Sequence, residues 1–166
     1  HDILLASPCC QGHAKARGKK SGNPEHDASR STAWAPVSAL EFHRPQAAVI
    51  ENVPEFTGWV LYPAWLQAVQ ALGYQAAPHI VDCADLGVPQ HRVRLFMVLT
   101  RSKAPLMLQL PQERHVPAAS FLDFAAGRWS QIQKPGRAQA TLDRVRNGRQ
   151  RFGDRFIMPY YGKGSG

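Results

Sequence analysis

An α/β fold is the class this sequence predicts: a partial, mostly parallel sheet that ends in an antiparallel edge strand, followed by a small irregular region. Three observations predict it. Short apolar runs alternate with stretches of helical spacing over the first hundred residues, the pattern of a parallel sheet covered by helices. The last two runs are joined too briefly for a crossover helix, which makes them an antiparallel pair at the sheet edge. Beyond about residue 104, prolines and basic side chains replace the apolar runs.

Residues 2–7, with Ile3, Leu4, Leu5 and Ala6, predict a short buried strand. From Pro8 to about Thr32 the chain holds Gly, Lys, Ser and His and almost no large apolar residue. That segment predicts a long loop, and loops of such length inside a domain are usually functional or disordered. Ala33 to Phe42 has apolar residues at helical spacing and ends near Pro45; Ala47 to Ile50 predicts a second strand. After a loop with Pro54 and Gly58, Pro63 to Leu72 predicts a helix, with Pro63 suited to its first turn and Gly73 to its end. Tyr74 to Val81 and Arg94 to Thr100 predict the third and fourth strands. Pro105, Pro111 and Pro117 then punctuate a linker. Residues 127–163 carry nine basic side chains against only Asp143 and Asp154. The chain thus divides into a first domain over 1–104 and a linker with the start of a second region over 105–166, without an internal repeat.

The 166 residues suit one domain, or one domain and part of another. Twenty Lys and Arg against twelve Asp and Glu give a net charge of +8, a balance that favours a polyanionic partner such as nucleic acid. No apolar run of membrane-spanning length and no secretory signal occur. The chain opens on His1 and closes on Gly162-Lys163-Gly164-Ser165-Gly166; both ends read as cut, so a fragment of a longer polypeptide is expected. Cys9, Cys10 and Cys83 are an odd set with one adjacent pair, a poor disulfide framework that suits a reducing cytosol. No Cys-x-x-Cys spacing suggests zinc, and no metal is expected.

Three motifs follow strand ends, where open α/β sheets hold their ligands. They are Ser7-Pro8-Cys9-Cys10-Gln11-Gly12, Glu51-Asn52-Val53 and Gln90-His91-Arg92-Val93-Arg94. A thiol, a carboxylate and two guanidiniums are therefore expected at one sheet edge. Singly, each has an ordinary explanation: a buried thiol, a solvated strand-end acid, charges that protect an edge strand.

Together and in this order, the Pro-Cys-Gln, Glu-Asn-Val and Gln-x-Arg-x-Arg series resembles the DNA cytosine-C5 methyltransferases. Gly87-Val88-Pro89-Gln90 and Asp27-Ala28-Ser29-Arg30 add to the match. The resemblance covers about residues 1–100 well, and 101–166 falls where that family has its variable target-recognition domain. It implies a Rossmann-like methyltransferase sheet, with 1–104 as an incomplete catalytic core. It implies Cys10 as the nucleophile that adds to cytosine C6, since Gln11 and Gly12 follow it; Cys9 stands where the family usually has a second proline. Thiolate addition turns the ring into an enamine, so that C5 can take a methyl group. Glu51 is implied as the acid at N3, with Asn52 shaping its turn. Arg94 is implied at the base O2, Arg92 at the catalytic loop or a phosphate, and Gln90 in the pocket wall.

The implied methyl donor is S-adenosylmethionine; its contacts in this chain are left unassigned, with Pro8 and Cys9 as the candidates. The family's Phe-x-Gly-x-Gly turn is absent from the sequence, so little turnover by these residues alone is expected. The implied substrate is double-stranded DNA with its target cytosine flipped out of the stack. His13, Lys15, Arg17, Lys19 and Lys20 of the long loop could meet its phosphates, although His13 and Ala14 stand where Phe and Ser are common in the family. A cytoplasmic or nucleoid setting follows. Three other functions fit parts of the pattern: a tRNA cytosine methyltransferase, a non-catalytic DNA-binding or partner subunit of a split enzyme, and a cysteine hydrolase using Cys10 with His43 or His91.

Overall fold

The computed structural model describes residues 2–10, 31–123, 125–126, 131–154 and 156. The chain divides into two compact units, His1–Leu122 and Asp123–Gly166.

In the first unit β1 (Ile3–Ala6), α1 (Trp34–His43), β2 (Ala47–Asn52), α2 (Tyr62–Ala71), β3 (Gln75–Asp82) and β4 (Val93–Thr100) follow in chain order. Short 3-10 turns lie at Pro54–Gly58 and Cys83–Leu86. The predicted strands and helices are all present, with ends moved by a residue or two. Pro63 does sit in the first turn of α2. β2 outruns its apolar stretch, so Glu51 and Asn52 are its last two residues and not loop.

The sheet order is β1-β2-β4-β3. β1 and β2 are parallel, and β4 is antiparallel to both of its neighbours. The antiparallel pair lies at the end of the sheet, but the expected antiparallel edge strand needs correction: the edge is β3, which runs in the direction of β1 and β2, and the antiparallel strand β4 is inside it. Composition explains that choice. Leu95, Met97, Val98 and Leu99 of β4 are all buried, as suits a strand covered on both faces. β3 carries Pro78, which has no N–H for a second neighbour.

The expectation of a fully buried first strand needs correction. Leu4 and Ala6 pack against the core, but Ile3 and Leu5 are 63% and 74% exposed. Side chains alternate between the two faces of β1, and only the face with Leu4 and Ala6 packs on the core.

α1 and α2 contribute Leu40, Trp65 and Val69 to a core with Ala48, Ile50, Leu95, Met97 and Leu99 of the sheet. The Trp65 indole donates to the Ala33 carbonyl at 2.8 Å, and the Tyr74 hydroxyl donates to the Pro45 carbonyl at 2.7 Å. With their polar atoms satisfied, each of these buried rings stabilises the unit by about 2–3 kcal/mol through its apolar area.

The second unit contains α3 (Gln139–Phe152), which buries Thr141 and Val145. Arg144, Arg146, Arg149 and Arg151 are exposed along it. Among the described residues no helix is long and apolar enough to cross a membrane.

Candidate active site

Register brings the first two motifs together. Ala6 pairs with Ile50 across the parallel β1–β2 ladder, so the chain leaving β1 at Ser7 runs beside Glu51. The Ser7 hydroxyl donates to Glu51 Oε2. On the other side of β2, Glu51 pairs with Phe96 of β4. Arg94 is therefore its diagonal neighbour on the same face, within reach of a long side chain. Arg94 Nε lies 3.0 Å from Glu51 Oε1, and the two side chains are only 20% and 27% exposed. A second guanidinium nitrogen of Arg94 donates to the Val93 carbonyl at 2.7 Å. Both oxygens of the carboxylate are thus held, one by a hydroxyl and one by a guanidinium.

Asn52 alternates to the other face and is buried. Its Nδ2 donates to the Pro8 carbonyl at 3.3 Å, and its Oδ1 accepts from the Val53 N–H at 2.8 Å. The Cys9 N–H donates to Thr32 Oγ1 at 3.0 Å. The segment from Ser7 to Cys9 is fastened at three points, and Cys10 follows with a half-buried free thiol.

The third motif enters β4 through a tight turn. Gly87 has φ 78°, in the left-handed region, and closes the 3-10 turn after β3. Asp82 Oδ1 accepts from the N–H groups of Ala84 at 3.1 Å and Arg92 at 2.9 Å, while Oδ2 meets His91 Nδ1 at 2.8 Å. The His91 hydrogen bond, followed by the backbone donors, holds the Asp82 carboxyl at about 2, well below the usual carboxylate range. The same hydrogen bond and the Asp82 charge raise His91 above an ordinary histidine. His115 Nε2 lies 2.7 Å from Asp85 Oδ1, the Glu113 N–H donates to the Asp85 carbonyl at 2.7 Å, and the His91 and His115 rings meet edge-on at 5.3 Å. The linker is thereby pinned to the turn.

Of the residues singled out in the sequence, the fold brings Glu51, Asn52 and Arg94 together with the Pro8-Cys9-Cys10 segment. Arg92 and Gln90 enter hydrogen bonds through their backbones only, and their exposed side chains have no polar partner among the described residues. Gln11, Gly12, His13, Lys15, Arg17, Lys19 and Lys20 lie outside the described residues. Sequence reasoning gave no role to Ser7, Thr32, Asp82 or Asp85. Ser7 had a usable signal, since a polar residue at the end of β1 falls beside the carboxylate at the end of its parallel neighbour.

The described residues do not by themselves fit S-adenosylmethionine. The Pro8 carbonyl is taken by Asn52 and the Cys9 N–H by Thr32. Glu51, the acid next to them, is held by Ser7 and Arg94. No group of three or more His, Cys, Asp or Glu among the described residues could hold a metal ion.

The family model of the C-5 cytosine-specific DNA methylases matches residues 1–143.

The chain belongs to the C-5 cytosine-specific DNA methylase family.

Among its relatives, the Type II methyltransferase M.AgeI of Thalassovita gelatinovora is 32% identical over 100 residues, covering 58% of this chain and 22% of the relative. The Type II methyltransferase M.NgoBI of Neisseria gonorrhoeae is 28% identical over 127 residues, covering 74% of this chain and 39% of the relative. The chain therefore spans about a fifth to two fifths of the length of these two methyltransferases. Among solved structures, the Entamoeba histolytica methyltransferase EhMeth superposes with a TM-score of 0.52 at 23% identity, over 74% of this chain and 39% of that one. That likeness shows the methyltransferase fold. The matched stretch of the C-5 methylase family includes the whole Ser7, Glu51 and Arg94 cluster and ends within α3.

α3 also borders an open groove of about 900 Å³, lined by Gln131, Gln139, Asp143, Arg146, Arg149 and Gln150 among others. Arg146 is held by Asp143 at 3.0 Å and Arg149 by Asp154 at 3.7 Å. These exposed pairs are worth little in water and leave the guanidiniums able to exchange partners.

Proposed function

We propose that the full-length protein transfers a methyl group from S-adenosylmethionine to C5 of cytosine in double-stranded DNA, through a covalent bond between Cys10 and C6 of a flipped base. The observation that carries this reading is the clamp on Glu51. A carboxyl group fixed through both oxygens, beside the segment that carries Cys10, is suited to meet one edge of a base whose ring face meets the thiol.

The base-side chemistry follows from those groups. The Cys10 thiolate forms the S–C6 bond as the C5–C6 double bond opens. The displaced electrons move towards N3, which takes a proton from Glu51. C5 is then the carbon end of an enamine and acts as a nucleophile. Once C5 has been substituted, loss of its proton, cleavage of the S–C6 bond and return of the N3 proton to Glu51 restore the ring. Arg94 keeps Glu51 aimed and adds positive charge where anionic character develops. The donor supplies the methyl group; its pocket is assigned to residues other than those described, in the same polypeptide or a complementing chain.

The partner reading rests on charge. A chain of net charge +8 with an arginine-bearing helix suits a phosphate backbone, and such contacts position a protein without specifying its sequence. Residues 105–166 are assigned to the linker and the start of the target-recognition region.

Trapping tests the reading. Fluorine at C5 cannot leave as a proton does, so the S–C6 bond persists. Full-length protein incubated with S-adenosylmethionine and duplex DNA containing 5-fluorocytosine is expected to give a covalent adduct. The adduct should survive Cys9→Ala and vanish with Cys10→Ala. Adduct formation on RNA in place of DNA would reassign the substrate, and no adduct on either would overturn the enzymatic reading.

A further inference from the structure

We propose that Ser7 is a positioning residue for Glu51, tying the acid to the strand that delivers the nucleophile; the role rests on the base chemistry proposed above. Ser7 is the first residue beyond β1 and stands three positions before Cys10. The Ala6–Ile50 pairing sets it beside Glu51 on the same face of the sheet, and its hydroxyl donates to Glu51 Oε2. Because Arg94 occupies Oε1, Ser7 decides how the second oxygen is held.

The chemistry of the two partners differs. A guanidinium only donates, so it matches the carboxylate and not a protonated oxygen. A hydroxyl both donates and accepts. Ser7 can donate to Glu51 as a carboxylate and accept from it as a carboxylic acid. Arg94 donates to Oε1 whether or not Oε2 carries a proton, so Ser7 is the partner that adjusts to the protonation state of Oε2. Ser7 touches neither base nor thiol in this role and acts through Glu51.

The test uses full-length protein and duplex DNA tritiated at cytosine C5, and follows tritium release to water, which requires addition at C6 and protonation at N3. Ser7→Ala is expected to lower kcat by about tenfold while leaving KM for DNA within about twofold, the size of losing one charge-assisted hydrogen bond. Ser7→Thr, which keeps the hydroxyl, should restore most of the rate. In a Glu51→Gln background Ser7→Ala should add no further loss, because the two changes remove one interaction. Ser7 is exposed, so the alanine variant should melt with the wild type. Ser7→Cys, close in volume and weaker as a donor, carries the same prediction should alanine impair folding. Equal losses from Ser7→Ala in both backgrounds, a change in KM alone, or full activity would overturn the role. A wild type that releases no tritium would overturn the methyltransferase reading and this role with it.

Discussion

Arg94 and Glu51 meet diagonally across β4 and β2, Nε to Oε1 at 3.0 Å, with about three quarters or more of each side chain shielded from water. Neither residue could reach the other if β3 and β4 had exchanged places in the sheet. β4 lies next to β2 because it can be buried on both faces and β3 cannot.

The first prediction concerns that pair. Arg94→Ala leaves a shielded carboxylate without its guanidinium and removes positive charge from the base pocket. A kcat loss of about 10²–10³-fold is expected, the scale of deleting one preorganised electrostatic partner. Arg94→Lys should recover only part, because an ammonium cannot reproduce the guanidinium's planar fork of donors, which serves Glu51 and the Val93 carbonyl together. Steady-state methylation of duplex DNA by the full-length variants checks this; equal rates for arginine and lysine would remove the geometric argument.

Asn52 is the second. It is 2% exposed and uses both ends of its amide, on the Pro8 carbonyl and the Val53 N–H. Asn52→Asp keeps the shape but turns an acceptor towards the Pro8 carbonyl, and it buries a charge. It is expected to cost about 2–4 kcal/mol, more than Asn52→Ala at about 1–3 kcal/mol. Chemical denaturation of the two variants orders them. An aspartate variant as stable as the wild type would mean that the amide does not hold the Pro8 segment.

Much of this was legible in the sequence, for reasons that can be named. The apolar runs gave the strands, and Pro63 with Gly73 gave the limits of α2, because backbone restriction acts locally. Glu51 and Arg94 could be expected at one sheet edge because the motifs fall at strand ends. The inner position of β4 was harder to see, since it depends on comparing the two faces of two strands. Pro78 was the available clue. The arrival of Ser7 at Glu51 depends on strand register, which is settled by pairing between distant segments and leaves no local trace. The Asp85–His115 contact joins two segments that no motif connects. The exposed Ile3 and Leu5 show the reverse limit, since an apolar run does not say how many of its faces are covered.

A third prediction is a pH dependence in the β3–β4 turn. Asp82 is lowered from the ordinary 3.8 to about 2. Its contribution is therefore present above pH 3.8 and lost as pH falls through about 2. His91 is raised above the ordinary 6.5. Its contribution is full below 6.5 and lost as pH rises through its higher value in the folded protein. The Asp82–His91 clasp is thus strongest between about pH 4 and 6.5. Asp82→Asn should return the His91 titration, followed by NMR of the imidazole, towards 6.5. Asp85 also raises His91, by a smaller effect, so Asp85→Asn should give a smaller downward shift. An unchanged His91 titration in Asp82→Asn would show that the clasp does not persist in solution.

The last prediction tests the second unit on its own residues. Gly148 lies inside α3, where glycine ordinarily costs about 1 kcal/mol relative to alanine. Helix propensity alone would make Gly148→Ala stabilising. A Cβ at 148, however, would stand 2.6 Å from Cζ and 2.9 Å from Cδ2 of Phe156, distances at which something must shift. The ring is rigid and folds back on the helix only eight positions along the chain, so relief requires Phe156 to leave or α3 to distort. Overpacking of this kind costs about 1–3 kcal/mol, which exceeds the gain in propensity. Gly148→Ala is therefore expected to destabilise the unit, and Gly148→Ala with Phe156→Ala to be more stable than Phe156→Ala alone. Melting of the full-length variants, with tryptophan and far-ultraviolet signals followed together, distinguishes the outcomes. A single alanine variant that melts above the wild type would mean that Phe156 does not pack on α3.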